Sequence, residues 1–219
     1  VSIVTSIDLD HTRILGKDVK SIAREKAGIF KSGVPALAFE SQPEVEAVFR
    51  EVAAQVGAPL MIVNKDIEFS SRFCTSEDLG PHTRVCLYSK TSRLEHLPVP
   101  LPGEHQSSNC GLALAAVDVL RGRGFDCPED KVARGLANTR VPGRMELIRD
   151  RPRILVDGAH NPPAASALRR ELDQRSHEHQ LPRRWLIGIQ RHKDAPSLLR
   201  TLLREGDAVR VVALPQEHS

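Results

Sequence analysis

The chain has 219 residues, of which 40% are hydrophobic, and its 31 basic and 28 acidic side chains give a formal net charge of +3. That length can bury a sizeable core or support two small domains. The nearly balanced, interspersed charges argue against a nucleic-acid or membrane-surface partner, and no apolar run approaches the ~20 residues that cross a bilayer.

The opening VSIVTSIDLD lacks an initiator Met, a basic leader and a cleavage site, and we interpret the sequence as a piece of a longer protein. The cysteines indicate a reducing compartment, so we expect a cytoplasmic protein. Its four cysteines have neither C-x-x-C pairing nor a Cys/His ligand spacing. We expect free thiols and no structural zinc site.

Apolar runs alternate with helical patterns over the first 63 residues. The pattern predicts three strands at 1–7, 34–39 and 59–63, and helices through 18–28 and 43–57. Such alternation is typical of βαβ units on a mostly parallel sheet.

The pattern changes after Asn64. Period-two strands run to Pro100 and predict a small antiparallel extension. Helical periodicity returns at 105–124 and at 128–140, where Pro128 is suited to the first helical position. The sequence thus predicts a sheet extension followed by two helices.

The αβ alternation restarts after the Pro-Gly at 142–143. It predicts a strand in RILVDGAH, a helix from about Pro162 to His177, a strand in RWLIGIQ, a helix in APSLLRTLLRE and a strand in AVRVVAL. We place a domain boundary near Asp150, which divides the chain into 1–149 and 150–219. The predicted fold class is α/β with two lobes.

Two residues of the first lobe are candidates for chemistry. His11 follows an apolar strand, at the sheet edge where open α/β folds build their sites, so its imidazole could bind a metal or a phosphate. Lys26 lies among the apolar residues of IAREKAGIF, which predicts partial burial. A lysine amine needs burial or a nearby cation before it becomes a nucleophile or captures CO₂. A structural histidine and a surface lysine are the alternatives.

The stretch LVDGAHNP carries the strongest local signal. A strand delivers Asp157, a glycine allows a tight turn, and His160 precedes a helix that opens at Pro162. Backbone N–H groups at such a helix start, beside a histidine, predict an anion site suited to phosphate. An ordinary strand-to-helix turn is the alternative.

Two further side chains could contact a nucleotide. Arg144 follows a Pro-Gly turn, where its guanidinium could bind a phosphate with two hydrogen bonds. Asn109, in PGEHQSSN, could cap the next helix together with Ser107 and Ser108, or turn its amide to a purine edge. The sequence contains no G-x-x-x-x-G-K-[ST] loop and no G-x-G-x-x-G.

Five motifs extend these local signals. They are, in chain order, TSIDLDHTRILG…IAREKAGIFKSGVP, PGEHQSSNCGLALAA, VPGRMELI, ILVDGAHNPPAA and IGIQRHKDAPSLL. Together they resemble the folylpolyglutamate synthase and dihydrofolate synthase family, a branch of the ATP-dependent muramyl-ligase superfamily. The resemblance implies that 1–149 is the latter part of a P-loop-type ATPase domain, and that 150–219 is part of a smaller Rossmann-like domain.

The resemblance also implies an activity. In this family ATP phosphorylates a pterin-linked carboxylate, and the amine of L-glutamate attacks the acyl phosphate. The substrates implied here are ATP, L-glutamate and a folate or dihydropteroate, with Mg²⁺ at two sites. Monomers are common in the resembled family, so the resemblance implies that this protein is a monomer.

The resemblance assigns roles to six residues. It implies that His11 binds magnesium and that Lys26 is carbamylated, which would create an oxygen ligand for a second magnesium ion. It places Asn109 at the adenine. Arg144, Asp157 and His160 would close on the nucleotide, with Lys26 and His160 as the catalytic pair.

The chain departs from the family pattern in two respects. The P-loop and the acidic magnesium ligand of the family lie upstream of any segment present, so we expect these residues alone to be inactive. His192 stands where many relatives have an acidic residue. A muramyl-peptide ligase and a non-catalytic nucleotide-binding remnant are the alternative functions.

Overall fold

The computed structural model describes residues 1–7, 18–77, 80–101, 103–174, 182–191 and 193–214. The chain forms two compact units, Val1–Arg140 (unit 1) and Val141–Ser219 (unit 2). This division lies ahead of the predicted boundary near Asp150. The reason is a pairing: residues just before Asp150 form a strand that bonds to a strand just after it, so both belong to unit 2.

Unit 1 contains the predicted parallel sheet. Its strands lie in the order β1–β2–β3, and α1 and α2 connect them. The prediction of βαβ units is therefore confirmed. The bounds are β1 Ser2–Val4, α1 Val19–Ala27, β2 Ala36–Phe39, α2 Pro43–Val56 and β3 Leu60–Val63.

Local signals define both helices. Asp18 caps α1, since its Oδ1 accepts the N–H of Ser21 at 2.9 Å. Pro43 occupies the first turn of α2, and Gly57 ends that helix with a left-handed φ of 70°. Arg24 of α1 donates to both carboxylate oxygens of Glu51 in α2, at 3.0 and 2.8 Å. The two helices therefore pair on one side of the sheet.

The parallel sheet is buried on both faces. Ala36 and Ala38 of β2 pack into the cluster beneath α1 and α2, where Phe30 and Phe49 meet edge to face at 6.0 Å. Leu37, between the two alanines, joins a second cluster on the other face. Strand alternation thus divides unit 1 into two apolar layers.

The second layer contains the predicted antiparallel extension. Strands β4 Glu68–Ser76, β5 Gly80–Tyr88 and β6 Arg93–Val99 pair antiparallel in that order and pack on α3, Glu104–Gly122. Helix α4, Glu129–Ala137, follows. Pro128 is its N-cap with an extended ψ of 148°, so the prediction that Pro128 is the first helical residue is wrong by one position.

Unit 2 combines a hairpin with a short parallel pair. The hairpin joins β7 Glu146–Arg149 and β8 Ile154–Val156, and β9 Arg184–Ile187 pairs parallel with β10 Ala208–Val211. Helices α5 Pro162–Gln174 and α6 Ala195–Leu202 pack together through Ala165 and Leu198. The predicted end of α5 at His177 lies outside the described residues.

Asp207 ties together three segments of unit 2. Its carboxylate accepts the N–H of Arg183 at 2.7 Å, the indole N–H of Trp185 at 2.8 Å and the N–H of Arg204 at 3.0 Å. Burial alone would raise the pKa of Asp207, but these donors outweigh burial and hold the pKa below its ordinary value.

The described part of the chain has no helix long and apolar enough to cross a membrane.

We expect Asp207→Asn to lower the free energy of unfolding of unit 2 by about 1–3 kcal/mol at neutral pH, because it disrupts a half-buried, charged acceptor shared by three donors. Trp185 is the single tryptophan, so its fluorescence during urea unfolding reports on this unit. Asp150→Asn is the matched control, since Asp150 also lies in unit 2 and its pairs with Arg151 and Arg153 are exposed and should contribute little.

The effect should also depend on pH. The depressed pKa of Asp207 stabilises the fold fully above the ordinary value of 3.8, and this contribution disappears as the pH falls through the lower folded-state value. The difference in the free energy of unfolding between wild type and Asp207→Asn should therefore become smaller in acid. Equal losses of unfolding free energy in Asp207→Asn and Asp150→Asn would contradict this role.

Candidate functional site

Two neighbouring loops of unit 2 form the candidate site. These paired loops are residues 141–146 and 157–161, and Asp157 joins them. Its Oδ2 accepts the N–H of Met145 at 2.9 Å, and its Oδ1 accepts the N–H of Ala159 at 2.8 Å. The N–H of Gly158 also donates to the carbonyl of Gly143 at 2.8 Å. One carboxylate and one backbone bond thus hold the loops together.

The first loop is a tight turn that carries Arg144. The backbone N–H of Arg144 donates to the carbonyl of Val141 at 3.2 Å, and Gly143 has a left-handed φ of 69°. Glu146 accepts the N–H of Gly143 at 2.8 Å. Met145 is buried and also left-handed, with φ 47°. Sequence reasoning missed Met145 and Glu146, although both lie within the VPGRMEL motif.

The guanidinium of Arg144 lies beside Gly158. A Cβ built at Gly158 would be 3.3 Å from Nη1 of Arg144 and 3.5 Å from the carbonyl of Gly143. A side chain at this position would therefore displace the guanidinium. Arg144 itself is exposed. The structure thus presents a cation at the surface of the paired loops, at a position where the second loop has no side chain.

His160 belongs to the same loops. Its Nδ1 lies 2.9 Å from the carbonyl oxygen of Gly158. A carbonyl only accepts hydrogen bonds, so Nδ1 carries the proton and Nε2 carries the lone pair when the ring is neutral. The imidazole is exposed. Three of the predicted site residues, Arg144, Asp157 and His160, are therefore brought together in unit 2.

The start of α5 is not the predicted anion site. Pro162 and Pro163 have no N–H, the N–H of Ala164 donates to Asn161 Oδ1 at 2.9 Å, and the N–H of Ala165 donates to the Asn161 carbonyl at 2.9 Å. Backbone donors of this first helical turn are either absent or engaged, so that prediction is wrong.

Lys26 is exposed, so its predicted burial is wrong. Its neighbours Ile22, Ala23 and Ala27 are buried. Lys26 lies in the last turn of α1, where a cation in water interacts favourably with the negative end of the helix.

Asn109 is an exposed residue of α3, and its Nδ2 donates to Gln106 Oε1 at 3.2 Å. The N-cap of α3 is Gly103, which precedes Ser107, Ser108 and Asn109. The interpretation of those three as capping residues is therefore wrong. Asn109 stays a candidate for a nucleotide contact.

The described residues do not by themselves fit a magnesium site. His11 and His192 lie outside them, and no group of three or more His, Cys, Asp or Glu side chains within them could hold a metal ion. Mg²⁺ binds oxygen ligands, whereas the unmodified amine of Lys26 is a cation.

A family model described as "Dihydrofolate synthetase, C-terminal domain" matches residues 145–216, which fall within unit 2. The chain is also similar to curated relatives over more of its length. It is 38% identical to the dihydrofolate synthase/folylpolyglutamate synthase of Escherichia coli K12, over 77% of this chain and 36% of the relative. It is 29% identical to folylpolyglutamate synthase of Lacticaseibacillus casei, over 98% of this chain and 49% of the relative.

Solved structures share the fold. A folylpolyglutamate synthase (FPGS) complex with AMPPCP and folate matches with a TM-score of 0.83 and 28% identity, over 98% of this chain and 51% of that one. The Mycobacterium tuberculosis folylpolyglutamate synthase complexed with ADP matches with a TM-score of 0.80 and 29% identity, over 95% of this chain and 46% of that one. The chain spans about half or less of each relative's length.

Proposed function

The chain belongs to the folylpolyglutamate synthase and dihydrofolate synthase family, and from that membership we propose that it is part of an ATP-dependent ligase that joins L-glutamate to a folate or dihydropteroate. The observation that carries this proposal is the match of nearly the whole chain to a structure bound to AMPPCP and folate. The E. coli relative in complex with DHPP and ADP supports the same substrate classes.

The proposal assigns a domain to each unit. Unit 1 would be the latter part of a P-loop-type ATPase domain, which its parallel β1–β2–β3 sheet supports. Unit 2 would be a Rossmann-like ligase domain, which the parallel β9–β10 pair and its two helices support.

The reaction has two steps. The γ-phosphoryl group of ATP passes to a carboxylate oxygen of the pterin substrate, which leaves ADP and an acyl phosphate. The amine of glutamate then attacks the acyl carbon, the amide bond forms, and phosphate departs. Both steps place negative charge on phosphate oxygens, and positioned cations stabilise such charge.

The paired loops supply the cation. Arg144 would donate hydrogen bonds to phosphate oxygens of the nucleotide, since a guanidinium binds phosphate with two parallel bonds. His160 would contact the nucleotide from the same surface. Asp157 already accepts from two backbone N–H groups. It would therefore position Arg144, and it stays a candidate for the nucleotide contact that the resemblance implies, since a carboxylate has lone pairs beyond these two bonds.

Unit 1 contributes the remaining candidates. Asn109 would contact the adenine from α3. Lys26, as a carbamate, and His11 would be this chain's contribution to magnesium binding in the longer enzyme. Because the described residues do not assemble that site, no step of the reaction is assigned to the metal.

The alternatives have less support. The named relatives are folate enzymes, which favours the folate ligase over a muramyl-peptide ligase. A non-catalytic remnant would bind nucleotide without turnover. The relatives carry both dihydrofolate synthase and folylpolyglutamate synthase names, so both glutamate acceptors belong in the assay.

We expect Arg144→Ala to lower kcat/KM for ATP by roughly ten- to a thousand-fold, because a charge-assisted contact to the developing phosphate charge is lost. The measurement is glutamate-dependent ADP release by a protein that carries these residues behind a P-loop segment. Arg140→Ala is the matched control, since exposed Arg140 donates, among the described residues, only to nearby carbonyls of α4 and its C-terminal turn. Unchanged kinetics in Arg144→Ala would contradict the proposal, as would comparable turnover by the 219 residues alone.

Carbamylation of Lys26 has its own test in the same protein. We expect Lys26→Ala to abolish turnover and short-chain carboxylates to restore part of it, because they replace the missing oxygen ligand. Lys20→Ala, an exposed lysine of the same helix, should keep full activity. Full activity of Lys26→Ala would refute the proposed role.

A further inference from the structure

A cluster of four side chains lies on the polar face of β4 and β5, away from the paired loops. The antiparallel register places Cys74 opposite His82 and Arg72 opposite Arg84. Strand alternation puts all four on one face, because residues two apart share a side. The opposite face packs Phe69 and other apolar residues into the core.

The thiol of Cys74 contacts an imidazole. Its Sγ lies 3.2 Å from Nε2 of His82, and Nε of Arg84 donates to the same nitrogen at 3.4 Å. Because the arginine N–H is a donor, Nε2 carries the lone pair and also accepts the thiol proton. His82 is only 5% exposed, whereas Cys74 is half-buried. The imidazole is thus buried, and the cysteine is more exposed than its partner.

The surroundings of the thiol are cationic. Arg72 and Arg84 are exposed, and within the described residues neither forms an ion pair with a carboxylate. Like charges placed directly opposite each other destabilise a sheet. An anion at this face would therefore relieve their repulsion.

We propose that Cys74 is a modification site that reacts with small disulfides bearing carboxylates, such as glutathione disulfide. The thiol passes its proton to Nε2 of His82, and the sulfur attacks one sulfur of the disulfide. A new S–S bond forms to Cys74 as the old S–S bond breaks. The other half leaves as a thiolate and takes up a proton, so Cys74 is oxidised and the leaving sulfur is reduced.

The other three cysteines provide internal controls. All four thiols are free. Cys110 is buried, and burial raises the pKa of its thiol to about 11. Cys86 is also buried. Cys127 is half-buried, like Cys74, but among the described residues no imidazole contacts its sulfur. Accessibility alone would therefore make Cys74 and Cys127 react alike.

The first experiment uses the unmodified protein. Limiting dithiobis(nitrobenzoate), a disulfide with carboxylates, is added and the sites of reaction are identified by peptide mass spectrometry. We expect Cys74 to react about tenfold or more faster than Cys127, because an imidazole that can accept the proton lies at its sulfur and two arginines on the same face attract the anionic reagent. Equal rates at Cys74 and Cys127 would overturn the proposal, and this comparison needs no variant to fold.

The second experiment separates the base from the cations. His82→Gln should slow Cys74 roughly tenfold or more with both the anionic reagent and neutral dithiodipyridine. Arg72→Gln and Arg84→Gln should each lower the ratio of anionic to neutral rates by about threefold. Arg93→Gln removes the same charge from a pair with Glu95 on β6 and should leave the ratio unchanged.

Each variant has a result that refutes part of the account. An unchanged Cys74 rate in folded His82→Gln would show that the histidine is not the proton acceptor. An unchanged rate ratio in both arginine variants would show that the site does not select carboxylates. Circular dichroism and thermal unfolding establish that each variant is folded.

Discussion

Two backbone amides from different loops share the carboxylate of Asp157, and the geometry of the candidate site depends on that sharing. The N–H of Met145 donates to one oxygen and the N–H of Ala159 to the other. Hydrogen bonds to an ionised acceptor are shorter and stronger than neutral ones. One charged group thus fixes the loop of Arg144 against the loop of His160 and keeps both side chains on one surface.

Close approach of the two loops explains why glycines stand at the contact. Gly143 adopts a left-handed conformation, and its carbonyl accepts the N–H of Gly158. Gly158 leaves the space that the Arg144 guanidinium occupies. The backbone of the two loops thus sets where Arg144 stands, and among the described residues its guanidinium forms no ion pair with a carboxylate, which leaves its charge available to a phosphate group.

The order of helices and strands could be predicted because the apolar periods of 2 and 3.6 differ clearly along this chain. The domain boundary could not, since the pairing of the strands on either side of Asp150 is not visible as periodicity. Lys26 shares a helix face with Ile22, yet the last turn of α1 leaves it in water. The prolines at 162 and 163 are visible in the sequence and already rule out backbone donors there. The role of Asp157 needed the structure, because its partners lie on two loops.

The central claim is that Asp157 acts on the nucleotide through Arg144. A double-mutant cycle measures this directly, with kcat/KM for ATP determined for wild type, Asp157→Asn, Arg144→Ala and the combined variant in a protein that includes the P-loop segment. If Asp157 positions Arg144, Asp157→Asn should lower kcat/KM much less in the Arg144→Ala background than in wild type. The losses of kcat/KM from the two substitutions should then be strongly non-additive. Losses that simply add would show that the two residues act independently and would contradict the account.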